Sequence, residues 1–182
     1  SLAMTLASAA IAPATHIIGA ENYYDQLRGD QYQVSLKFYR DCGPGNANNT
    51  QYDLTAMIGV FGGDGTDLGF QSLPFPGATD VPVSLDDPCL RAPPTICVEL
   101  AIYTGIFTLP ARPDGYVLTY QRCCRTPTII NIEGAEGLGI TCTVRIPGTV
   151  VSNSSARFTE YPPIVLCLNE ELVFDHSATD ED

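Results

Sequence analysis

Seven cysteines, at positions 42, 89, 97, 123, 124, 142 and 167, are the residues of this 182-residue chain best suited to chemistry. So many thiols are unusual in a reduced cytosol and ordinary in an oxidising compartment, so the expected chemistry is disulfide formation in an exported protein. Cys89 and Cys97 bracket the proline-rich loop LRAPPTI, and so short a loop is easily closed, which makes them the first expected pair. Cys42 and Cys167 then remain as partners for Cys123 and Cys124, in either order. Successive side chains of a strand point to opposite faces, so adjacent Cys123 and Cys124 are expected to have different partners. Cys142 sits inside an apolar row and is expected to be the odd cysteine, a buried free thiol packing as a small hydrophobe. Zinc binding would need paired ligands such as C-x-x-C with a second pair in register, and the sequence holds only one adjacent pair and two distant histidines.

Hydrolytic chemistry would need a base beside a nucleophile. The two histidines, His16 and His176, accompany no G-x-S-x-G, no H-E-x-x-H and no phosphate-binding glycine loop. His16, in THIIGAE, reads as a structural residue, and Cys42 beside Asp41 fits a disulfide better than a thiol nucleophile. Asp86 and Asp87 precede Pro88 in a turn, where aspartate is expected to bond the backbone. The expectation is therefore a protein without catalytic residues. A secreted glycoside hydrolase stands as a minor alternative, because its two carboxylates are identified by their separation in space and not in sequence. No cofactor is implied except calcium. Asp175, Asp180 and Asp182, with Glu181, are spaced as oxygen ligands within FDHSATDED, although a solvated acidic tail explains them equally well. Asp64 and Asp67 in GGDGTDLG carry the same two readings, with a hairpin turn as the plainer one.

The elements that must position these residues are strands. Val34, Leu36 and Phe38 alternate with Gln33, Ser35 and Lys37. Leu54, Ala56, Ile58 and Val60 form a second such row, Tyr116, Leu118 and Tyr120 a third, and Leu138, Ile140, Cys142, Val144 and Ile146 a fourth. Period two marks half-buried strands. Extending the third row puts Cys124 on its face and Cys123 opposite. Turn clusters rich in Gly, Pro, Asn and Asp separate the rows, among them Gly62–Asp67, Ala92–Pro94 and Arg112–Gly115. About ten short strands without a helical stripe predict an all-β fold, a disulfide-stapled β-sandwich of the immunoglobulin-like or jelly-roll-like kind. A chain of this length buries enough surface for a single core.

The opening run SLAMTLASAAIAPA looks like the tail of a signal peptide, apolar and ending in small residues, and is too short to span a membrane as a helix. A second reading makes it an apolar arm that adds a strand to a neighbouring subunit. The expected organisation is thus residues 1–14 as signal remnant or arm, 15–174 as the sandwich, and 175–182 as an acidic link to a following domain. With 21 acidic against 9 basic residues the formal charge is −12, which disfavours nucleic acid and anionic lipid surfaces.

Five segments together resemble a known family: THIIGAE (15–21), YRDC (39–42), DPCLRAPPTICVE (87–99), YVLTYQRCCR (116–125) and NSSARFTEYPPIVLCLNEELVFDHSATD (153–180). They look like the N-terminal module of secreted Bacteroidota surface proteins, the PKD-domain or gliding-motility-associated proteins of the type nine secretion route. The resemblance covers nearly all the chain after residue 14. It implies a bacterial cell-surface location, Ig-like domains downstream, and a role in adhesion, gliding or surface filaments. It brings no catalytic residues. The pattern carries Cys42, Cys89, Cys97, Cys123, Cys124 and Cys167, and Cys142 is this sequence's addition. Members of the family usually continue past DHSATD with an aspartate-rich stretch, whereas this sequence stops at Asp182, which leaves an interdomain calcium site incomplete.

The leading expectation is a non-catalytic extracellular structural or adhesive module of a cell-surface protein or filament. Its partners would be other domains or copies of the same protein. The alternative is a carbohydrate-binding domain, with Tyr23, Tyr24, Tyr103 or Phe75 exposed to stack on sugar rings of surface glycans, a reading weakened by the absence of tryptophan.

Overall fold

The computed structural model describes residues 16–44, 52–83, 95–127, 129–148, 152–166, 169 and 171–182. Cys89 and Cys167, with Asp86 and Asp87, lie outside the described residues. Among the described residues ten strands follow one another: β1 (Ile17–Arg28), β2 (Gln31–Asp41), β3 (Thr55–Gly62), β4 (Asp67–Pro74), β5 (Thr79–Asp80), β6 (Val98–Thr108), β7 (Tyr116–Cys123), β8 (Gly139–Ile146), β9 (Arg157–Phe158) and β10 (Ala178–Thr179). Among the described residues there is no α-helix, only a single 3-10 turn at Ala135–Gly137. One four-stranded sheet has the order β1-β2-β6-β5, a second β4-β3-β7-β8, and β9 pairs with β10 as a separate ribbon. Every pairing between strands is antiparallel. The fold is all-β, and the two sheets close on one core as a sandwich.

The period-two rows build that core. Val34, Leu36 and Phe38 of β2 face Ala56 and Ile58 of β3, Leu118 and Tyr120 of β7, and Ile140 and Ile146 of β8, all buried in one cluster. Phe38 meets Tyr120 edge to face with centroids 6.1 Å apart, a favoured arrangement for aromatic pairs. Two rows overreach their strands. Leu54 precedes β3 and is 81% exposed, and Leu138 precedes β8 and is 47% exposed. Neither sits on a pleat, so alternation no longer sends it inward.

Polar ties join the sheets at both margins. Tyr103 of β6 donates to the carbonyl of Asp53 at 2.8 Å, and Tyr120 of β7 donates to the Asp53 carboxylate at 3.1 Å. Arg122 completes this knot with an ion pair to Asp53 at 2.8 Å. At the other margin Asn22 of β1 donates to the carbonyl of Cys142 at 3.0 Å, and the Cys142 thiol donates to the carbonyl of Ala20 at 3.1 Å. Cys142 is thus the buried free thiol that its row predicts, and the fold uses its weak S–H donor as well as its volume.

The disulfides depart from expectation. Cys97 pairs with Cys42, not with Cys89, with Cα atoms 4.9 Å apart. This bond continues the β2/β6 ladder, whose last pair is Asp41 with Val98, and Cys42 N–H donates to the carbonyl of Cys97 at 3.0 Å. Loop length cannot reveal such a pairing, because register between strands distant in sequence brings the sulfurs together. Closing a 55-residue separation, it restricts the unfolded chain by on the order of 4 kcal/mol. Cys123 and Cys124 are bonded to each other, across a cis peptide, rather than to different partners. The opposite-face argument holds only inside a strand, and β7 ends at Cys123, where the chain turns away. A bond between neighbours closes almost no loop and adds only about 1 kcal/mol on the same chain-entropy scale.

Two outcomes follow. Leu118→Ala is expected to cost about 2–5 kcal/mol in urea unfolding and Leu54→Ala less than about 0.5 kcal/mol, although both stand in apolar rows of the sequence. Burial raises the Cys142 thiol to about 11 and raises the hydroxyls of Tyr39, Tyr52, Tyr103 and Tyr120 well above the ordinary tyrosine range. Groups raised on folding stabilise fully below their unfolded values and lose that contribution as pH climbs through the folded ones. Stability should therefore hold to about pH 8.5 and fall steadily between about pH 9 and 11, with Cys142 refractory to iodoacetamide at pH 8 until the chain unfolds. Rapid labelling of Cys142 in the folded protein, or flat stability to pH 11, contradicts this.

Candidate functional site

The outward half of the first sheet is where polar and aromatic side chains gather. Alternation that buries Leu36 and Phe38 turns Lys37 and Tyr39 outward, and the register of β1 on β2 sets Glu21 opposite Lys37 and Gly19 opposite Tyr39. Lys37 pairs with Glu21 at 2.8 Å, and Tyr39 donates to the same carboxylate at 3.4 Å. Burial, and next the negative charge of Glu21, raise the Tyr39 hydroxyl, so it stays a protonated donor.

A strap of chain after β8 lies against this face. Ser155 N–H donates to the carbonyl of Tyr24 at 2.8 Å, and its hydroxyl accepts from Tyr24 N–H at 3.0 Å. Ser154 accepts from Gln26 N–H at 3.3 Å, and Asn153 N–H donates to Gln26 at 2.9 Å. Short polar side chains here do for the edge of β1 what a further strand would do, satisfying its free backbone groups. Arg157 then pairs with Asp25 and lies over the Tyr23 ring at 4.2 Å, while Tyr161 packs edge-on to Tyr39 at 6.4 Å. The acidic end packs on the strap: β10 pairs with β9, and Asp182 accepts from Ser154 N–H at 2.6 Å.

Between sheet and strap runs a cleft of about 810 Å³. Ile18, Val81, Ile96, Ile129 and Ile164 give it apolar walls, Tyr39 and Tyr161 line its middle, and Phe158 stacked on His176 at 4.7 Å forms one lip. Its volume falls in the range typical of ligand pockets. The charged groups of its floor are engaged: Glu21 with Lys37, and Asp41 with Gly43 N–H at 2.9 Å and Thr126 at 3.5 Å. Glu160 of the strap, which also lines it, is exposed to solvent.

Other expected site residues lie elsewhere. Tyr24 and Tyr103 are each 1% exposed and belong to the core, and Phe75 packs between Tyr52 and Tyr103. Tyr23 is outward but carries Arg157 and Lys37 over its ring. Two of the four rings are thus core residues, and the other two are half-buried against neighbours that sequence cannot reveal. Asp175 accepts from Ser177 N–H at 2.9 Å and Asp182 serves Ser154, so Asp175, Asp180 and Asp182 are not gathered into a ligand set among the described residues. The one trio of metal-type side chains that does converge there is Cys42, Cys97 and Asp80, and its sulfurs are bonded to each other. Asp64 serves the β3–β4 turn, accepting from Thr66 N–H at 2.9 Å. His16 opens β1, its carbonyl accepting from Asp41 N–H at 2.9 Å. Among the described residues no helix is long and apolar enough to cross a membrane.

Compared with family models, curated proteins and solved structures, the chain finds no match. The cleft itself went unanticipated. Its signal in the sequence is the run Phe158–Ile164, aromatic and proline-rich without period two, which a strand reading passes over.

Arg157→Ala removes both the ion pair and the ring contact. Both partners are about one-third exposed, so the cost should stay below about 1 kcal/mol in global stability. Amide exchange of Phe158 and Thr159 should nevertheless accelerate several-fold while β7 amides stay protected; unchanged exchange in the strap would show that Arg157 does not hold it.

Proposed function

We propose that this chain is a non-catalytic extracellular module that builds or joins a bacterial surface structure, holding an apolar segment of another copy of the same protein in the cleft beneath its strap. The observation that carries the reading is the pairing inside that cleft: apolar walls surround a floor whose charges already have partners. Such a lining favours an uncharged apolar occupant, since a charged one would lose hydration without finding an unpaired counter-ion.

The cysteine chemistry supports a location outside the cell, where disulfides persist. The resemblance to Bacteroidota surface modules supports the same reading, and its segments meet at this feature. THIIGAE supplies Ile18 to Glu21, YRDC supplies Tyr39 and Asp41, TICVE supplies Thr95 to Val98, and the longest segment supplies Phe158 to Ile164 and His176. YVLTYQRCCR ends one residue before Thr126, which also lines the cleft.

Sedimentation velocity of the intact chain over a concentration series tests this directly. Reversible association is expected, weakened at least tenfold by Ile18→Asp, with the circular dichroism spectrum unchanged. A chain that stays monomeric throughout, or associates equally well after that substitution, overturns the reading. Binding on a glycan array by such a monomer would favour a carbohydrate-binding domain instead.

A further inference from the structure

The cleft ends at a corner. β7 makes its last pair through Cys123 with Gly139, and two residues later Arg125 bridges to Ile17 at the start of β1, in the opposite sheet. Arg125 N–H donates to the carbonyl of Leu138 at 2.9 Å and Thr126 N–H to the carbonyl of Ile17 at 3.1 Å. Thr126 is 2% exposed, lies in the cleft wall and bonds Asp41. The chain therefore passes from one sheet to the other within Cys123–Arg125, and the disulfide joins the two residues that make the turn.

The two disulfides among the described residues differ in ways that bear on exchange. Cys42 and Cys97 are both half-buried, beside buried Gly43, at the end of a continuous ladder. Cys123 is exposed. A thiolate must reach one sulfur of a disulfide to attack it, so access favours Cys123. The bond between neighbours also restrains the unfolded chain least, so the fold resists its loss least.

We propose that Cys123–Cys124 is a thiol–disulfide exchange site, opened by a dithiol reductant, whose opening loosens the corner that ends the cleft. A thiolate of the dithiol attacks Cys123 Sγ, forming a mixed disulfide and expelling the Cys124 thiolate. The second thiolate of the reductant then attacks its own sulfur in that mixed disulfide, closing the reductant's disulfide and releasing the Cys123 thiolate. Two electrons pass to the protein, and each released thiolate takes up a proton at neutral pH. The turn that delivers Arg125 and Thr126 to the opposite sheet then loses its covalent restraint and rests on hydrogen bonds.

The intact oxidised chain is titrated with dithiothreitol at pH 7, quenched with isotopically distinct alkylating agents, and mapped by mass spectrometry. Cys123 and Cys124 should be half-modified at a reductant concentration at least tenfold below that which opens Cys42–Cys97. Hydrogen exchange at that point should show protection of the Arg125 and Thr126 amides reduced at least tenfold, with Leu36 and Leu118 unchanged. The double variant Cys123→Ser/Cys124→Ser should show the same fast corner without reductant and no further response to it. Opening of Cys42–Cys97 first or at the same concentration overturns the exchange site. Equal corner protection in oxidised and selectively reduced protein overturns the loosening, whatever the association behaviour of the chain.

Discussion

Alternation along β2 is the constraint from which the rest descends. The strand lies between β1 and β6, so its inward residues Val34, Leu36 and Phe38 occupy the centre of the core and its outward residues Lys37 and Tyr39 the centre of one face. A one-residue slip would exchange the two sets and place a lysine in the core, at a cost far beyond what the fold could sustain. Register is therefore fixed, and the outer face acquires a definite pattern of ring and charge. Cys42–Cys97 secures that register covalently at the strand's end. An outer face so defined can be covered by a segment with no regular structure of its own, as the strap covers it.

The strap has a different stability from the sandwich it lies on. Core residues such as Leu36, Ile58 and Leu118 are fully buried, and their ladders open only when the sheets separate. The strap is held by a few hydrogen bonds, an ion pair and edge-on rings, each worth about 1 kcal/mol or less. A groove between a rigid floor and a lightly held roof can admit a segment without disturbing the core.

Legibility in the sequence follows the range of the interactions concerned. Fold class was legible because pleat alternation is local: Tyr116, Leu118 and Tyr120 declare their face within five residues. Free Cys142 was legible for the same reason. Partner choice was not, since Cys42 meets Cys97 through a ladder between strands more than fifty residues apart in sequence. For Cys123 and Cys124 a sound rule was carried one residue beyond the strand that justifies it. Composition cannot assign Tyr24 and Tyr103 to a face, while Tyr39 and Tyr161, which do line a cleft, stand in segments that only the docking of the strap on the sheet brings together. The strap is the least legible part, because serines and asparagines that cap an edge strand read locally as loop.

The overall charge bears on how copies of such a chain could meet. At −12 two copies repel at long range, and at physiological ionic strength that repulsion is screened beyond about 8 Å. Contact must then be driven by something that acts only at closer approach and does not itself add charge. Burial of apolar surface meets both conditions, being short-ranged and indifferent to sign. A cleft whose floor carries charges that already have partners lets that burial proceed without stripping water from unmatched ions. Under the proposed reading, copies that meet on charged surface have repulsion without the compensating apolar contact.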